Sequence, residues 1–534
     1  MSSIVTDQFR ILNANNFIES VENDSNSYYV FVGLPNPALD NSSQNIGFGR
    51  TSNWNTQVPN PVDNFTYLSH NGDTMLYGKK VSSSNVCRII RRIDWAAGTK
   101  YEMYRHDYSL QSPAPLTGSS RLYDANYYVM NSQYKVYICI DNGSSGINTT
   151  GNPSQDEPTF TDLEPSKAGD SGDGYLWKYL FTVNPSDIIK FDSTEYITLP
   201  TDWSSSTNSQ IQAVRENGDS SINENQIKKV YIDRQGSNYS NSVGASSGSF
   251  ELNILGDGTG GKVIVDVVNG KITNTTVSSG GKGYTYGVVD LGSLNAGATS
   301  DYARLIPIIP PSKGHGYDLY KELGADKVLV YARFDDSTKD FPIDTKFAQV
   351  GIVKNPTSVG STSTYSGSQY SSVYALKFSS TTGTPAVGDK IQQSVTGGTA
   401  YGWVSSYDSE TKVMKYIQDR SLYYNKTTFD QTDYVGVSTG SKVLGFETQI
   451  ASLGAVGIVQ ATPSGFTGQI DQNYSGISTN PTGNKVINLG VNFQYGAASP
   501  EINKGSGDIV YLDNRPLITR NSRQKEDIKI ILEF

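Results

Sequence analysis

The chain has 534 residues, with 43 Lys and Arg against 52 Asp and Glu, so its formal net charge is −9. At roughly 100–200 residues per domain this length predicts three to five domains, and 36% hydrophobic residues with 35 Tyr predict folded cores rather than disorder. An acidic chain is a poor general nucleic-acid binder, and its apolar runs are too short for a membrane helix. With two Cys and three His, the chain has few candidates for a disulfide framework or for histidine-dependent catalysis.

Short runs rich in Val, Ile, Tyr and Phe recur along the chain between Gly, Asn, Ser or Pro, whereas helical periodicity is weak. Runs of this kind are typical of β-strands. The predicted strands are Tyr28–Val32, Tyr134–Ile140, Leu176–Val183, Lys262–Val268, Lys327–Arg333, Val350–Lys354, Val413–Ile417 and Ile528–Phe534. Short helices are predicted at Pro185–Ile189 and Tyr317–Leu323. The predicted fold class is all-β, with several β-sandwich domains, small inserted β modules and little helix.

Two composition shifts, at 201–226 and 357–372, predict linkers rich in Ser, Thr, Asn and Gly. A weak internal repeat lies between them. Its members, 45 residues apart, are Ile227, Val230, Ile232, Gly236 and Tyr239, then Ile272, Thr275, Val277, Gly281 and Tyr284. We interpret it as two similar β-hairpin units that each end in a Gly-x-x-Tyr turn. Near the end of the sequence, a strand at Asp508–Asp513, a turn at Pro516 and a final strand are predicted.

Two glycine-rich motifs resemble catalytic signatures incompletely. Gly256–Lys262 fits part of a phosphate-binding loop, but Val263 replaces the Ser or Thr and a strand follows instead of a helix. We therefore predict a hairpin turn there. Gly169–Gly172 resembles the surroundings of a protease serine, but neither His70 nor His106 lies in a matching context. A turn before a strand is the favoured interpretation.

The remaining chemical candidates also favour structural roles. His315 is expected to pack or cap locally, and Cys87 and Cys139 to be small buried residues. Asp170 and Asp173 fit no complete calcium loop. The carboxylate pairs Asp335-Asp336 and Glu526-Asp527 are adjacent on predicted strands and so point to opposite faces.

The segment Arg91-Arg92-Ile93-Asp94-Trp95 combines residue types that are enriched at protein interfaces. An Arg fork can hold a carboxylate with two hydrogen bonds. Two interpretations stay open: an ion pair within one domain beside a buried Trp, or a contact with another protein.

Several stretches together resemble the dimeric baseplate wedge proteins of T-even-like contractile-tailed bacteriophages. They are Arg91–Trp95, Gly98–Tyr101, Pro165, Gly172–Phe181, Thr194–Ile197, Tyr511–Ile518 and Glu526–Phe534, with Tyr29–Gly33 and Thr345–Pro356 in support. The resemblance covers roughly 1–200, 301–356 and 506–534, and the matched blocks keep their order. The resulting division is 1–204 as an N-terminal β-sandwich region, 205–300 as an inserted hairpin module, 301–356 as a return to the family core, 357–505 as a second inserted module, and 506–534 as strands that complete the core.

The resemblance implies a structural subunit of the tail baseplate wedge, located in the virion and assembled in the cytoplasm of the bacterial host. Implied partners are a second copy of the chain, neighbouring wedge subunits and tail-fibre proteins, with no nucleic acid and no membrane insertion. It implies no enzymatic activity, catalytic residue, metal or cofactor. The candidate interface or core residues are Arg91, Arg92, Asp94, Trp95, Asp173, Tyr175, Trp177, Asn514, Arg515 and Pro516.

Two other functions are compatible with the sequence. A receptor-binding tail protein would grip cell-surface glycan through its Tyr-rich inserted segments. A polysaccharide-degrading enzyme would need two carboxylates about 5–10 Å apart in a cleft, and no sequence motif identifies such a pair.

Overall fold

The computed structural model describes residues 6–34, 55–61, 63, 65–191, 193–218, 225–240, 246–296, 301–335, 346–418, 444–450, 455–481, 483, 485–519 and 524–534. The helices are α1 (Asp7–Glu22), α2 (Phe65–Thr74), α3 (Pro185–Phe191), α4 (Ser209–Gly218) and α5 (Leu319–Glu322), with 3₁₀ turns at Ser83–Asn85, Leu122–Asp124 and Leu291–Ser293.

The strands, in chain order, are β1 (Tyr28–Gly33), β2 (Met75–Val81), β3 (Val86–Arg91), β4 (Tyr128–Met130), β5 (Lys135–Asn142), β6 (Tyr175–Thr182), β7 (Tyr196–Thr198), β8 (Val230–Arg234), β9 (Tyr239–Ser240), β10 (Gly248–Gly256), β11 (Thr259–Val268), β12 (Lys271–Lys282), β13 (Gly287–Val289), β14 (Asn295–Ala296), β15 (Arg304–Pro307), β16 (Lys327–Asp335), β17 (Lys346–Lys354), β18 (Gln369–Ser371), β19 (Tyr374–Thr382), β20 (Lys390–Val395), β21 (Gly398–Asp408), β22 (Val413–Ile417), β23 (Gln449–Ile450), β24 (Ala455–Val456), β25 (Ile458–Thr462), β26 (Phe466–Ile470), β27 (Gly476–Thr479), β28 (Ile487–Phe493), β29 (Ala497–Ala498), β30 (Asp508–Thr519) and β31 (Lys525–Glu533). Strands dominate the described residues, which confirms the predicted all-β, multi-domain fold class with little helix.

The chain folds into two compact units, each assembled from separate stretches of sequence. Unit 1 contains 1–16, 87–329 and 531–534, and unit 2 contains 17–86 and 330–530. The five-part division proposed from the sequence stays a prediction.

Unit 1 has a three-stranded antiparallel sheet, β4-β5-β6, over a large aromatic core. Its strands read as nearly continuous apolar runs, and Tyr128, Tyr137 and Trp177 are buried. β3 pairs antiparallel with β7, so that Arg91 lies opposite Tyr196.

A second core in unit 1 belongs to the repeat. It is covered by the sheet β12-β11-β10-β13 and the pair β15-β8. The two halves are related reciprocally: the Ile227 N–H donates to Gly280 O, and the Ile272 N–H donates to Gln235 O. Both bonds fit the 45-residue offset of the sequence repeat. The interpretation as two similar β-hairpin units is wrong for the first unit, because β8 pairs with β15 and β9 with β14 instead of with each other.

Unit 2 contains a five-stranded antiparallel sheet in the order β18-β2-β1-β17-β30. β1 lies at its centre and is buried along its whole length. Strands β22, β21, β20, β25, β26 and β19 follow one another in a second sheet, which a further pairing of β22 with β19 closes into a ring. Leu376, Phe378 and Phe466 fill its interior.

Helix α1 was not predicted, because helical periodicity is weak at the start of the sequence. The Thr6 side chain accepts a hydrogen bond from the Phe9 N–H at 3.3 Å, as an N-cap does. Ile11, Ala14 and Ile18 form a buried stripe at helical spacing. Exposed Phe9 and other apolar residues outside the stripe obscure that spacing in the sequence.

Both predicted linkers are wrong in part. Helix α4 lies inside 201–226, where Asn208 caps its first turn and Val214 is fully buried. In 357–372, β18 pairs with β2 and buries Tyr370. Local composition does not show that these polar segments pack against other parts of their units.

The predicted turn at Pro516 is also wrong. β30 runs through it to Thr519, and the pairing with β17 shifts between Phe347 and Gln349, so Arg515–Leu517 form a bulge. Proline is tolerated there because β30 is an edge strand.

Candidate protein-interaction site

A polar groove of about 570 Å³ lies in unit 1, between the end of β3, the residues before β7 and the end of β31. Its walls carry four cations and four acids: Arg91, Arg92, Arg121, Lys327, Asp124, Glu195, Asp326 and Glu533. Tyr123, Tyr128 and Tyr196 complete much of the lining. The groove thus combines charged and aromatic groups.

Most of the groove charges are paired within unit 1. Arg121 pairs with Asp7 of α1, and Lys327 lies 3.1 Å from Asp326. The same ammonium lies 3.2 Å from Glu533. These pairs hold α1 and the end of β31 against the groove walls.

The Arg91–Trp95 segment forms one wall and is tied to its own unit. Arg92 Nε lies 3.0 Å from each carboxylate oxygen of Asp94. The Trp95 indole N–H donates to Ser154 Oγ at 3.0 Å, and the half-buried ring packs on the aromatic core. The ion pair matches the first interpretation, whereas Trp95 is half-buried and not buried as that interpretation expected. The alternative, contact with another protein, stays a prediction.

The structure joins this segment to the second predicted motif. The Tyr101 hydroxyl donates to Asp94 O at 3.2 Å, and the Tyr101 N–H donates to the Tyr175 hydroxyl at 2.9 Å. The rings of Tyr175 and Trp177 stack at 5.2 Å between centroids. Asp173 accepts the backbone N–H groups of Gln155 and Tyr175 and so fixes the preceding turn. Asp173, Tyr175 and Trp177 therefore brace the core beside the Arg91–Trp95 segment.

The third predicted motif, Asn514-Arg515-Pro516, belongs to unit 2. Buried Asn514 accepts a hydrogen bond from Gln349 Nε2 at 2.8 Å and donates to Pro59 O at 2.7 Å. The Leu517 N–H donates to Asn55 Oδ1 at 2.9 Å. Residues 55–61 therefore contact β30, an edge strand that needs such cover. Arg515 pairs with Asp513 at 2.6 Å, and Pro516 is exposed.

The candidate catalytic motifs have structural partners. His106 Nδ1 accepts the Ile309 N–H at 3.1 Å, and burial lowers the pKa of this imidazole. The Ser171 N–H donates to Asp156, and no hydrogen bond joins Ser171 to a histidine among the described residues. His70 lies in α2, and its side chain is outside the described residues. Gly256–Lys262 forms the predicted turn between β10 and β11.

The candidate acids are likewise engaged. Arg333 holds both oxygens of Asp527, at 2.6 and 2.7 Å, which lowers the pKa of that carboxyl. Asp335 pairs with Lys525 at 3.1 Å, and Asp336 lies outside the described residues. In the described part of the chain no three His, Cys, Asp or Glu are grouped to hold a metal ion, and no helix is long and apolar enough to cross a membrane.

A buried polar cluster lies in the core of unit 1. His315 Nδ1 is 2.5 Å from Glu322 Oε1, and the Gly316 N–H donates to Glu322 Oε2 at 2.6 Å. His315 also lies edge-on to Tyr104, with centroids 4.7 Å apart. The predicted local role of His315 is confirmed. Cys87 and Cys139 are free and buried, also as predicted, and burial raises the pKa of both thiols.

The chain is similar to a phage baseplate protein. Over 217 aligned residues it is 26% identical to "Baseplate wedge protein gp8" of Enterobacteria phage T4. The alignment covers 37% of this chain and 60% of that protein, less than two thirds of the relative's length. No protein-family model matches the chain.

Sequence reasoning missed much of the groove. Arg121, Tyr123 and Lys327 fall in separate stretches, and only the fold brings them beside Arg91. Glu195 lies within a stretch that carries the family resemblance, Thr194–Ile197, and that was the one available signal.

Proposed function

We propose that this protein is a structural subunit of the baseplate wedge in the tail of a contractile-tailed phage. The single observation that carries the proposal is the 26% identity to a T4 baseplate wedge protein over 217 residues. The all-β, multi-domain fold and the structural partners of the candidate catalytic side chains support it. Its action then depends on shape and contacts, without an enzymatic step.

The proposal includes finer statements. The protein forms a homodimer, bridges neighbouring wedge subunits, contacts tail-fibre proteins and rearranges when the tail contracts. It resides in the virion after assembly in the host cytoplasm. Permanent subunit interfaces of this kind bury on the order of 2,000 Å² or more, which the broad strand-rich surfaces of two units can supply.

Antibody labelling of purified particles tests the location. Antibodies raised against the chain should place gold particles at the distal end of the tail in electron micrographs. Labelling of heads alone, or absence of the chain from purified virions, would contradict the proposal.

The alternative is a receptor-binding protein that grips glycan. Exposed Tyr286 and Tyr302 are the kind of aromatic surface that contacts sugar rings. Part of the Tyr-rich segment on which the prediction rested, 419–443, lies outside the described residues. Micromolar glycan binding that disappears on deletion of 373–450, or on Tyr286→Ala combined with Tyr302→Ala, would favour this function, and absence of binding would reject it.

A further inference from the structure

Among the residues that the structure describes, two charged side chains of the polar groove, Arg91 and Glu195, have no ion-pair partner. Arg91 uses only Nη2, which donates to Asp124 O at 3.2 Å and Ala125 O at 3.0 Å. Glu195 makes no side-chain hydrogen bond or ion pair with any residue that the structure describes. Both residues are exposed and both line the groove.

The other three cations of the groove each have an ion-pair partner. Arg92 is held by Asp94, Arg121 by Asp7 and Lys327 by Asp326. The cation Arg91 and the anion Glu195 are therefore the groove charges that remain available to a partner. Because Nη2 is occupied by two backbone carbonyls, Arg91 keeps the N–H groups of Nε and Nη1, each of which can make a single charge-assisted hydrogen bond to a carboxylate.

One free cation and one free anion in the same groove form a self-complementary pattern. In a two-fold symmetric dimer the same patch meets itself, so residue i of one copy contacts residue j of the other and the reverse contact follows. A second copy rotated by 180° can supply a carboxylate to Arg91 and a guanidinium to Glu195. A partner with a single net charge would satisfy one of the two and repel the other.

Helix α1 extends this surface with apolar area. Phe9 is 52% exposed and Leu12 is 51% exposed, three residues apart on the side of the helix away from buried Ile11. The same turns are tied to the groove walls through Asp7 and Arg10, which pair with Arg121 and Glu533. Protein interfaces typically combine an apolar centre with a polar rim. The half-exposed Phe9 and Leu12 beside the charged groove fit this arrangement.

We infer that two copies of this chain pair through the polar groove, with Arg91 of each copy binding Glu195 of the other. This inference rests on the proposed homodimer and assigns its interface.

Charge exchange tests the assignment on the full-length chain by light scattering over a micromolar dilution series. The wild type should show twice the 58.1 kDa chain mass. Arg91→Glu and Glu195→Arg should each raise the dissociation constant at least about tenfold, because like charges then meet across the axis. The double variant restores two opposite-charge pairs and should return the constant to near the wild-type value.

Lys100→Glu is the matched control, because Lys100 is an exposed cation whose ammonium bonds Thr150 and which does not line the groove. It should leave the dimer unchanged. Thermal melting identifies any misfolding of Arg91→Glu. Glu195→Arg alone still decides between the outcomes, because the Glu195 side chain makes no hydrogen bond or ion pair with the described residues. A wild-type dimer with an unaltered constant in Glu195→Arg would overturn the assignment and leave the homodimer standing. A wild-type monomer at every concentration would overturn both.

Discussion

Lys178 is a basic side chain enclosed in the core of unit 1, with 3% of its surface exposed. Its ammonium donates to Leu163 O at 2.6 Å and to Asn217 Oδ1 at 2.8 Å. Burial lowers the pKa of Lys178 from its ordinary 10.5 to about 8, partly opposed by the nearby Glu322 and Glu164. The folded protein therefore releases this proton more readily than the unfolded chain.

This burial predicts a stability that rises with pH. Between pH 8 and 10.5 the unfolded state binds more protons at Lys178 than the folded state does, so the free energy of unfolding increases with pH. From pH 8 to 9.5 the gain should be about 1.5 kcal/mol. Above pH 10 the buried tyrosines, whose pKa values are raised, act in the opposite direction.

Urea unfolding of the full chain across pH 8–9.5 checks this. Lys178→Met should reduce the increase but not remove it, because burial also lowers the pKa of Lys415 in unit 2 to about 8, and Lys100→Met, at an exposed site, should retain all of it. An identical pH slope in wild type and Lys178→Met would refute the explanation.

Sequence alternation identifies Trp177 and Tyr179 as core residues of β6 and places Lys178 between them on the outward face. The structure buries Lys178 as well because α4, which lies within the predicted linker 201–226, supplies Asn217 on that face. Because the local composition does not predict α4, it does not predict the burial of Lys178 either.

At the scale of elements, the strands were predictable and the helices mostly were not. β1, β5, β6 and β22 match their predicted runs because β-branched and aromatic residues cluster between turn residues. The short helices α3 and α5 were also found. α1, α2 and α4 were not predicted. The buried stripes of α1 and α4 are narrow, and their remaining residues are polar or irregularly apolar.

Gly281, a member of the repeat, occupies a position where any side chain would strain the structure. Gly281 has φ +58°, and a Cβ there would lie 2.5 Å from Gly261 N and from Thr259 O. Gly172 has φ +70° but open space around it. Gly172→Ala should cost about 1–2 kcal/mol for the left-handed backbone alone. Gly281→Ala should cost at least about 3 kcal/mol, because strand backbones must also separate.

Chemical denaturation of the two alanine variants measures the difference. Equal losses of unfolding free energy would show that the close approach of β11 and β12 at Gly281 does not constrain the repeat.

β31 is predicted to be indispensable to the fold. It neighbours β16 in its sheet, buries Ile530, and supplies Asp527 to Arg333 and Tyr331. Removing residues 526–534 exposes the β16 edge and leaves Arg333 without its carboxylate. The truncated chain should be insoluble or unable to dimerise.

Expression followed by size-exclusion chromatography with light scattering tests that prediction. A soluble dimer of the truncated chain would contradict it, and full-length protein carrying Lys529→Ala, at an exposed position of the same strand, serves as the control.

At the scale of the whole molecule, the sequence indicated the fold class but not the two units. Each unit combines stretches hundreds of residues apart, such as 17–86 with 330–530. Linear composition cannot show such pairings, because the antiparallel contact of β1 with β17 depends on register between distant strands. The groove arises in the same way, from five separated stretches of unit 1.

A density map of the intact phage tail is the decisive test of the proposed wedge subunit. We expect copies of this chain to fit density in the baseplate wedges, as pairs of chains related by a two-fold axis, with each pair in contact with other wedge proteins. A well-resolved baseplate that leaves no density for the chain, with the protein absent or located elsewhere in the particle, would contradict it.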